Sequence, residues 1–169
     1  CMQDKGQLIS GEFVPGRVSL LRKAFDRCGV HCAEALQNDA TVPRPAWGTF
    51  DRVLCDVPCS GLGVIAKKPD IRCKDLAGME NLLQTQQKIL QNGADSLAKN
   101  GRLVYSTCTV NRDENERHVQ KFLTANPDFT LAAPPMAYPG AVDTGFGTLF
   151  LPHKTHTDGF FVAILQKNH

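Results

Sequence analysis

FDRVLCDVPCSGLG, Phe50 to Gly63, changes character halfway along. Arg52 to Cys55 is a short aliphatic, β-branched run that reads as a buried strand, and it breaks at once into Asp56, Pro58, Cys59, Ser60 and Gly61. In an open parallel α/β sheet, ligands bind just beyond the carboxyl ends of the strands, so these polar residues stand where chemistry is usually done. Asp56 offers a carboxylate and Cys59 a thiol, while Gly61 and Gly63 let backbone approach a ligand closely. Taken alone, Cys59 reads equally well as a small buried hydrophobe in an ordinary turn.

GRLVYSTCT, Gly101 to Thr109, shifts that balance. Leu103, Val104 and Tyr105 form a second apolar strand, ending in Ser106, Thr107, Cys108 and Thr109 before a charged helix. Two strands therefore deliver a cysteine to one edge. Asp and Cys after one strand, with Thr, Cys and Thr after the other, suit covalent catalysis by a thiolate with acid and base assistance.

DVPCSG (Asp56 to Gly61) and STCT (Ser106 to Thr109) resemble the paired cysteine motifs of the RNA cytosine-5 methyltransferases. GVIAKKPDIRC (Gly63 to Cys73) and HTDGFFVA (His156 to Ala163) narrow the resemblance to the bacterial Sun (Fmu) branch, which modifies small-subunit ribosomal RNA. The match runs over nearly the whole chain. It implies an α/β, Rossmann-like S-adenosylmethionine-dependent methyltransferase fold, mostly parallel with an antiparallel ending. It further implies S-adenosyl-L-methionine as cofactor and methyl transfer to C5 of a cytosine in 16S ribosomal RNA. By resemblance Cys108 is the nucleophile that adds to C6, Asp56 supports the activated base, and Cys59 assists C5 proton removal or enzyme release. The target base must leave any stack, which favours unpaired RNA.

Glu12 closes a first strand near Gln7 to Ser10, at the position that holds the cofactor ribose; the family usually has Asp there. Asp39, in Asn38-Asp39-Ala40, resembles the adenine-recognition position, and Asp56 also faces the methionine end. Family members carry a first strand and a glycine-rich loop close to CAAPGGK, and residues 1–169 are expected to begin just after it, as one partial catalytic domain. In the implied fold that strand lies between the strands ending near Glu12 and Cys55. Self-association or an upstream fragment is therefore expected to complete the sheet.

The remaining chain fits this frame. Pro15 starts an amphipathic helix that ends near Gly29, and His31 to Ala35 is a weak strand. Lys67, Lys68 and Arg72 lie beside the catalytic edge, well placed for RNA phosphates. Asp75 to Leu97 reads as a long helix and Asp113 to Asn126 as another, with Asp113, Glu114 and Glu116 complementing its dipole. Ala132 to Gly147 is a loop, and Thr148 to Leu151 with Phe160 to Leu165 are two closing strands.

Composition sets outer limits. A chain of 169 residues with 42% hydrophobic content can bury one core, and it has no apolar run long enough to span a membrane. Seven cysteines without a framework pattern imply a reducing cytoplasm. A net charge of +2 neither demands nor excludes nucleic acid. The Cys28/Cys32 and Cys55/Cys59 pairs lack the spacing of a zinc knuckle, and no metal is expected. Three other readings are a DNA-type enzyme with Cys59 as nucleophile, a non-catalytic RNA-binding module, and a metal-stapled module.

Overall fold

The structure, a computed structural model, describes residues 2–73 and 77–168. It divides into two compact units, residues 1–42 and 43–169.

The first unit is one β-α-β turn of the fold. Strand β1 (Leu8–Glu12) and strand β2 (Ala33–Gln37) pair in parallel through helix α1 (Pro15–Cys28). Proline at the helix start has no N–H to leave unpaired. Gly29 ends the helix in the left-handed conformation, φ 62°, which costs a residue without a Cβ little.

In the second unit, strand β3 (Phe50–Asp56) runs through helix α2 (Met79–Asp95) into strand β4 (Leu97–Thr107), again in parallel. Helix α2 buries Gln86, Leu90, Gly93 and Ala94, a stripe at helical spacing that covers one sheet face. Gly93 lets the helix sit close, because a Cβ there would stand 2.6 Å from Cys55 Sγ. Helix α3 (Glu116–Ala125) adds Val119 and Phe122, both fully buried.

Strands β5 (Phe129–Leu131), β6 (Val142–Asp143), β7 (Thr148–Phe150) and β8 (Phe160–Lys167) complete the unit, with a short helix α4 (Pro152–Thr155) before β8. The order is β3-β4-β8-β7-β6, and β5 also pairs with β8. Strand β8 is antiparallel to β4, β5 and β7. It buries Phe161, Ala163 and Leu165 at strict alternation, against Leu97, Leu103 and Tyr105 of β4.

This is the expected Rossmann-like α/β fold, with a larger antiparallel end than the two closing strands read from the sequence. One edge of β8 serves two partners: residues 160–162 pair with β7 and residues 165–167 with β5. Runs of two or three residues give no periodicity to read, so β5 and β6 were not expected.

Two helix boundaries are corrected. Helix α2 starts at Met79, and Leu97, expected at its end, opens β4. Asn100 and Gly101 lie inside that strand, where Asn100 takes φ 60° and the register with β3 shifts. Asp75, the expected start of α2, lies outside the described residues. The next helix starts at Glu116 rather than Asp113, because residues 112–115 form turns that draw Glu114 and Asn115 into the interior.

Candidate functional site

The two cysteine motifs meet. Strands β3 and β4 are neighbours in parallel register, with Asp56 opposite Ser106, so their carboxyl ends empty onto one edge of the sheet. Cys59 Sγ and Cys108 Sγ stand 3.0 Å apart, both half-buried. Burial, followed by the hydrogen bond and charge of Cys108, pushes the Cys59 thiol up to about 12. Cys59 therefore keeps its proton at neutral pH and can donate it towards Cys108 Sγ. Cys55, four residues earlier, is also pushed up to about 12, by burial alone, and its thiol points back toward the Ile89 carbonyl.

Asp56 is exposed at the end of β3, where its Oδ1 accepts a hydrogen bond from Ser106 Oγ at 2.9 Å. A solvent-facing carboxylate beside the two thiols is available to a ligand. HTDGFFVA supplies the third wall. The Gly63 N–H donates to the Cys108 carbonyl at 3.0 Å, and the Gly159 N–H donates to the Gly63 carbonyl at 2.8 Å. Lys67 pairs with Asp158 at 2.6 Å across the same seam, which ties one expected RNA contact to the protein itself. Lys68 and Arg72 are exposed.

Glu12 and Asp39 belong to the first unit. Glu12 Oε1 accepts the Val14 N–H at 3.0 Å, and its Oε2 lies 3.4 Å from Arg17. Asp39 Oδ1 accepts both the N–H and the hydroxyl of Thr41, at 2.9 and 2.7 Å, closing a tight turn after β2. Both acids follow the carboxyl ends of parallel strands, as a nucleoside-binding edge requires.

Glu114 was read only as a helix-start acid, and the structure corrects this. It is fully buried. Its Oε2 accepts the Ser60 N–H at 2.8 Å and Gln86 Nε2 at 2.9 Å, while Oε1 accepts Ser60 Oγ at 2.5 Å and Asn111 Nδ2 at 3.1 Å. A buried carboxylate is tolerated only when its lone pairs are met, and here about four acceptor sites meet four donors. An acid in a run of charged residues looks solvated from sequence; only the partners, 28 and 54 residues away, reveal otherwise.

Parallel strands joined by crossover helices, an antiparallel end, and, within each unit, acids or thiols at the carboxyl ends of the strands define a Rossmann-like methyltransferase fold. The chain belongs to the 16S rRNA methyltransferase RsmB/F family, whose model matches residues 1–166. It is 37% identical to the "Probable ribosomal RNA small subunit methyltransferase B" of Synechocystis sp. over 98% of its own length and 39% of that protein. It is 35% identical to ribosomal RNA small subunit methyltransferase F of Cronobacter sakazakii, over 98% of its length and 36% of that protein. Among solved structures, NSun6 from Pyrococcus horikoshii with SFG superposes with a TM-score of 0.86 at 30% identity, over 98% of this chain and 42% of that one. A methyltransferase homolog protein from the same organism gives 0.81 at 25% identity, over 98% and 55%. The chain thus spans about two fifths of the length of the curated relatives it matches.

Proposed function

We propose that both units belong to one catalytic domain that methylates C5 of a cytosine in 16S ribosomal RNA, with S-adenosyl-L-methionine as methyl donor. The observation that carries the proposal is the pair of thiols, Cys59 and Cys108, 3.0 Å apart at the ends of adjacent parallel strands.

C5 of cytosine is a weak nucleophile. The Cys108 thiolate adds to C6 while N3 takes a proton from solvent, and the electron pair released onto C5 makes it an enamine carbon. Asp56, exposed at the end of β3, accepts a hydrogen bond from the protonated base. S-adenosyl-L-methionine, when bound, would supply an electrophilic methyl group to C5, with its sulfonium leaving as the neutral thioether. Glu12 and Asp39, at the strand ends of the first unit, would hold its ribose and adenine. Cys59, once its own proton has passed to solvent, then removes the C5 proton, and N3 gives back its proton as the C6–S bond breaks to release Cys108. Once Cys108 is bonded to carbon its charge no longer faces Cys59, so one cause of the raised Cys59 pKa is lifted when a base is needed. The same raised pKa disfavours a DNA-type arrangement with Cys59 as the attacking thiolate. Lys68 and Arg72 would contact RNA phosphates, with Lys67 joining them only by leaving Asp158.

The test is an adduct assay with RNA containing 5-fluorocytosine, in the protein carrying residues 1–169. Cys108→Ser is expected to form no covalent adduct, and Cys59→Ser to form one and retain it. The reverse pattern transfers attack to Cys59.

A further strand is also part of the reading. Among the described residues β3 is paired on one side only, and Leu54 within it is 69% exposed. A bare strand edge is a template for another chain. The isolated 169-residue chain is expected to self-associate through that edge or to bind an upstream segment supplied in trans, and light scattering showing a stable monomer that takes up neither would refute it.

A further inference from the structure

Two adjacent residues grip the two cysteine loops. On one side, the groups flanking Cys59 are all engaged: the Pro58 carbonyl accepts from Gln86 Nε2 at 2.9 Å, and the Ser60 N–H and hydroxyl both donate to Glu114. On the other, Asn115 brackets Cys108. Its Oδ1 accepts the Thr107 hydroxyl at 2.6 Å, and its Nδ2 donates to the Thr109 carbonyl at 3.0 Å. A cross-tie joins the halves, because the Ser60 and Thr109 hydroxyls are 2.8 Å apart. Their directions are consistent: the Asn111 N–H donates to Thr109 Oγ1, Thr109 donates to Ser60 Oγ, and Ser60 donates to Glu114.

Gln86, Thr107, Thr109, Glu114 and Asn115 are fully buried and Ser60 is 8% exposed. Strand pairing uses none of these side-chain bonds. They converge instead on the residues immediately before and after each thiol, which is where anchoring sets the distance between the two sulfurs. Gln86 Oε1 alone of these side-chain atoms is without a partner among the described residues; the bonds that are made lie in a low-dielectric interior, where breaking one strands its partner.

We propose that Glu114 and Asn115 are positioning residues, each holding one cysteine loop, so that Cys59 and Cys108 stay within reach of the same carbon. The inference rests on the two-cysteine reading above. It predicts that isosteric loss of one bond loosens the pair without unfolding the protein.

The test needs neither RNA nor cofactor. Diamide takes one hydrogen from each of two thiols as they join in a disulfide, and is itself reduced to the hydrazine form; peptide mass spectrometry then reads the Cys59–Cys108 bond in the 169-residue chain. Glu114→Gln, which turns two acceptor sites into donors, and Asn115→Asp, which removes the donor to Thr109, are expected to slow that oxidation at least about tenfold. Should either variant fail to fold, Thr109→Val and Thr109→Ser separate the effects. Valine keeps the shape and loses the cross-tie, so it should slow oxidation, and serine should restore it. Folded variants that all oxidise at the wild-type rate overturn the proposal. In the methyl-transfer assay the same variants should lose about a hundredfold in kcat, the scale of an ångström misplacement, with KM for both substrates within about twofold. If the whole protein carrying residues 1–169 oxidises readily yet methylates nothing, the enzymatic reading is refuted and the clamp stands.

Discussion

Gly63→Ala is expected to destabilise the second unit by about 3 to 5 kcal/mol, and Gly159→Ala by nearly as much. A Cβ on Gly63 would stand 2.0 Å from the Gly159 carbonyl oxygen, 2.6 Å from its carbon and 2.8 Å from the Cys108 carbonyl oxygen. All three are backbone atoms, so no rotamer change relieves the clash. A Cβ on Gly159 would stand 2.7 Å from Gly63 Cα and 2.8 Å from Val110 Cγ1. Overpacking a well-filled site costs about 1 to 3 kcal/mol. Forcing the segments apart also breaks the Gly63 to Cys108 and Gly159 to Gly63 hydrogen bonds, at about 1 to 3 kcal/mol for each buried group left unmet. Against a total stability of roughly 5 to 15 kcal/mol, that loss is severe. Urea unfolding measures it, with Gly16→Ala as control, since nothing lies within 4 Å of a Cβ there. Gly63→Ala with wild-type stability and wild-type adduct formation would mean that the three motifs do not stack as described.

What sequence could show followed from how local each signal is. Cys59 and Cys108 were legible because each closes an apolar strand, and two such strands linked by one helix pair in parallel with their ends together. The α1 helix was legible from Pro15 to Gly29 because both of its end signals are intrinsic to single residues. The resemblance to the Sun branch rested on the same loops and is matched by the family membership. Glu114 and Asn115 were not legible. Their role depends on Ser60, Gln86 and Thr109 arriving from other segments, and acids beside Arg112, Asp113 and Arg117 look like one end of a solvated helix. Arg117 and Asp113, joined at 2.8 Å on the surface, do behave so. The closing seam was half legible: HTDG was read as part of the family motif, yet the need for two glycines appears only when Gly63 and Gly159 face each other.

Acid should weaken this protein before its carboxylates protonate, and His118 is the reason. The imidazole is 4% exposed and stacked on Tyr105, with ring centroids 5.5 Å apart at 15°. Its Nε2 is buried without a hydrogen-bond partner among the described residues. Burial, and then the charge of Lys121, hold its pKa down to about 4, against the smaller opposing pull of Glu114. In the unfolded chain the same group titrates near 6.5. Between those values the unfolded state binds a proton that the native state refuses, so His118 contributes its stability in full only above about pH 6.5 and loses it as pH falls towards 4. At about 1.4 kcal/mol per unit, the contribution lost is about 2 kcal/mol by pH 5 and about 3 by pH 4. Urea unfolding of the 169-residue chain at pH 7.5 and pH 5 reads the first figure. His118→Phe keeps an aromatic ring against Tyr105 and removes the proton, so its stability should be nearly flat over the same interval. An equal drop in wild type and variant would assign the acid sensitivity to other groups and refute a neutral, buried His118.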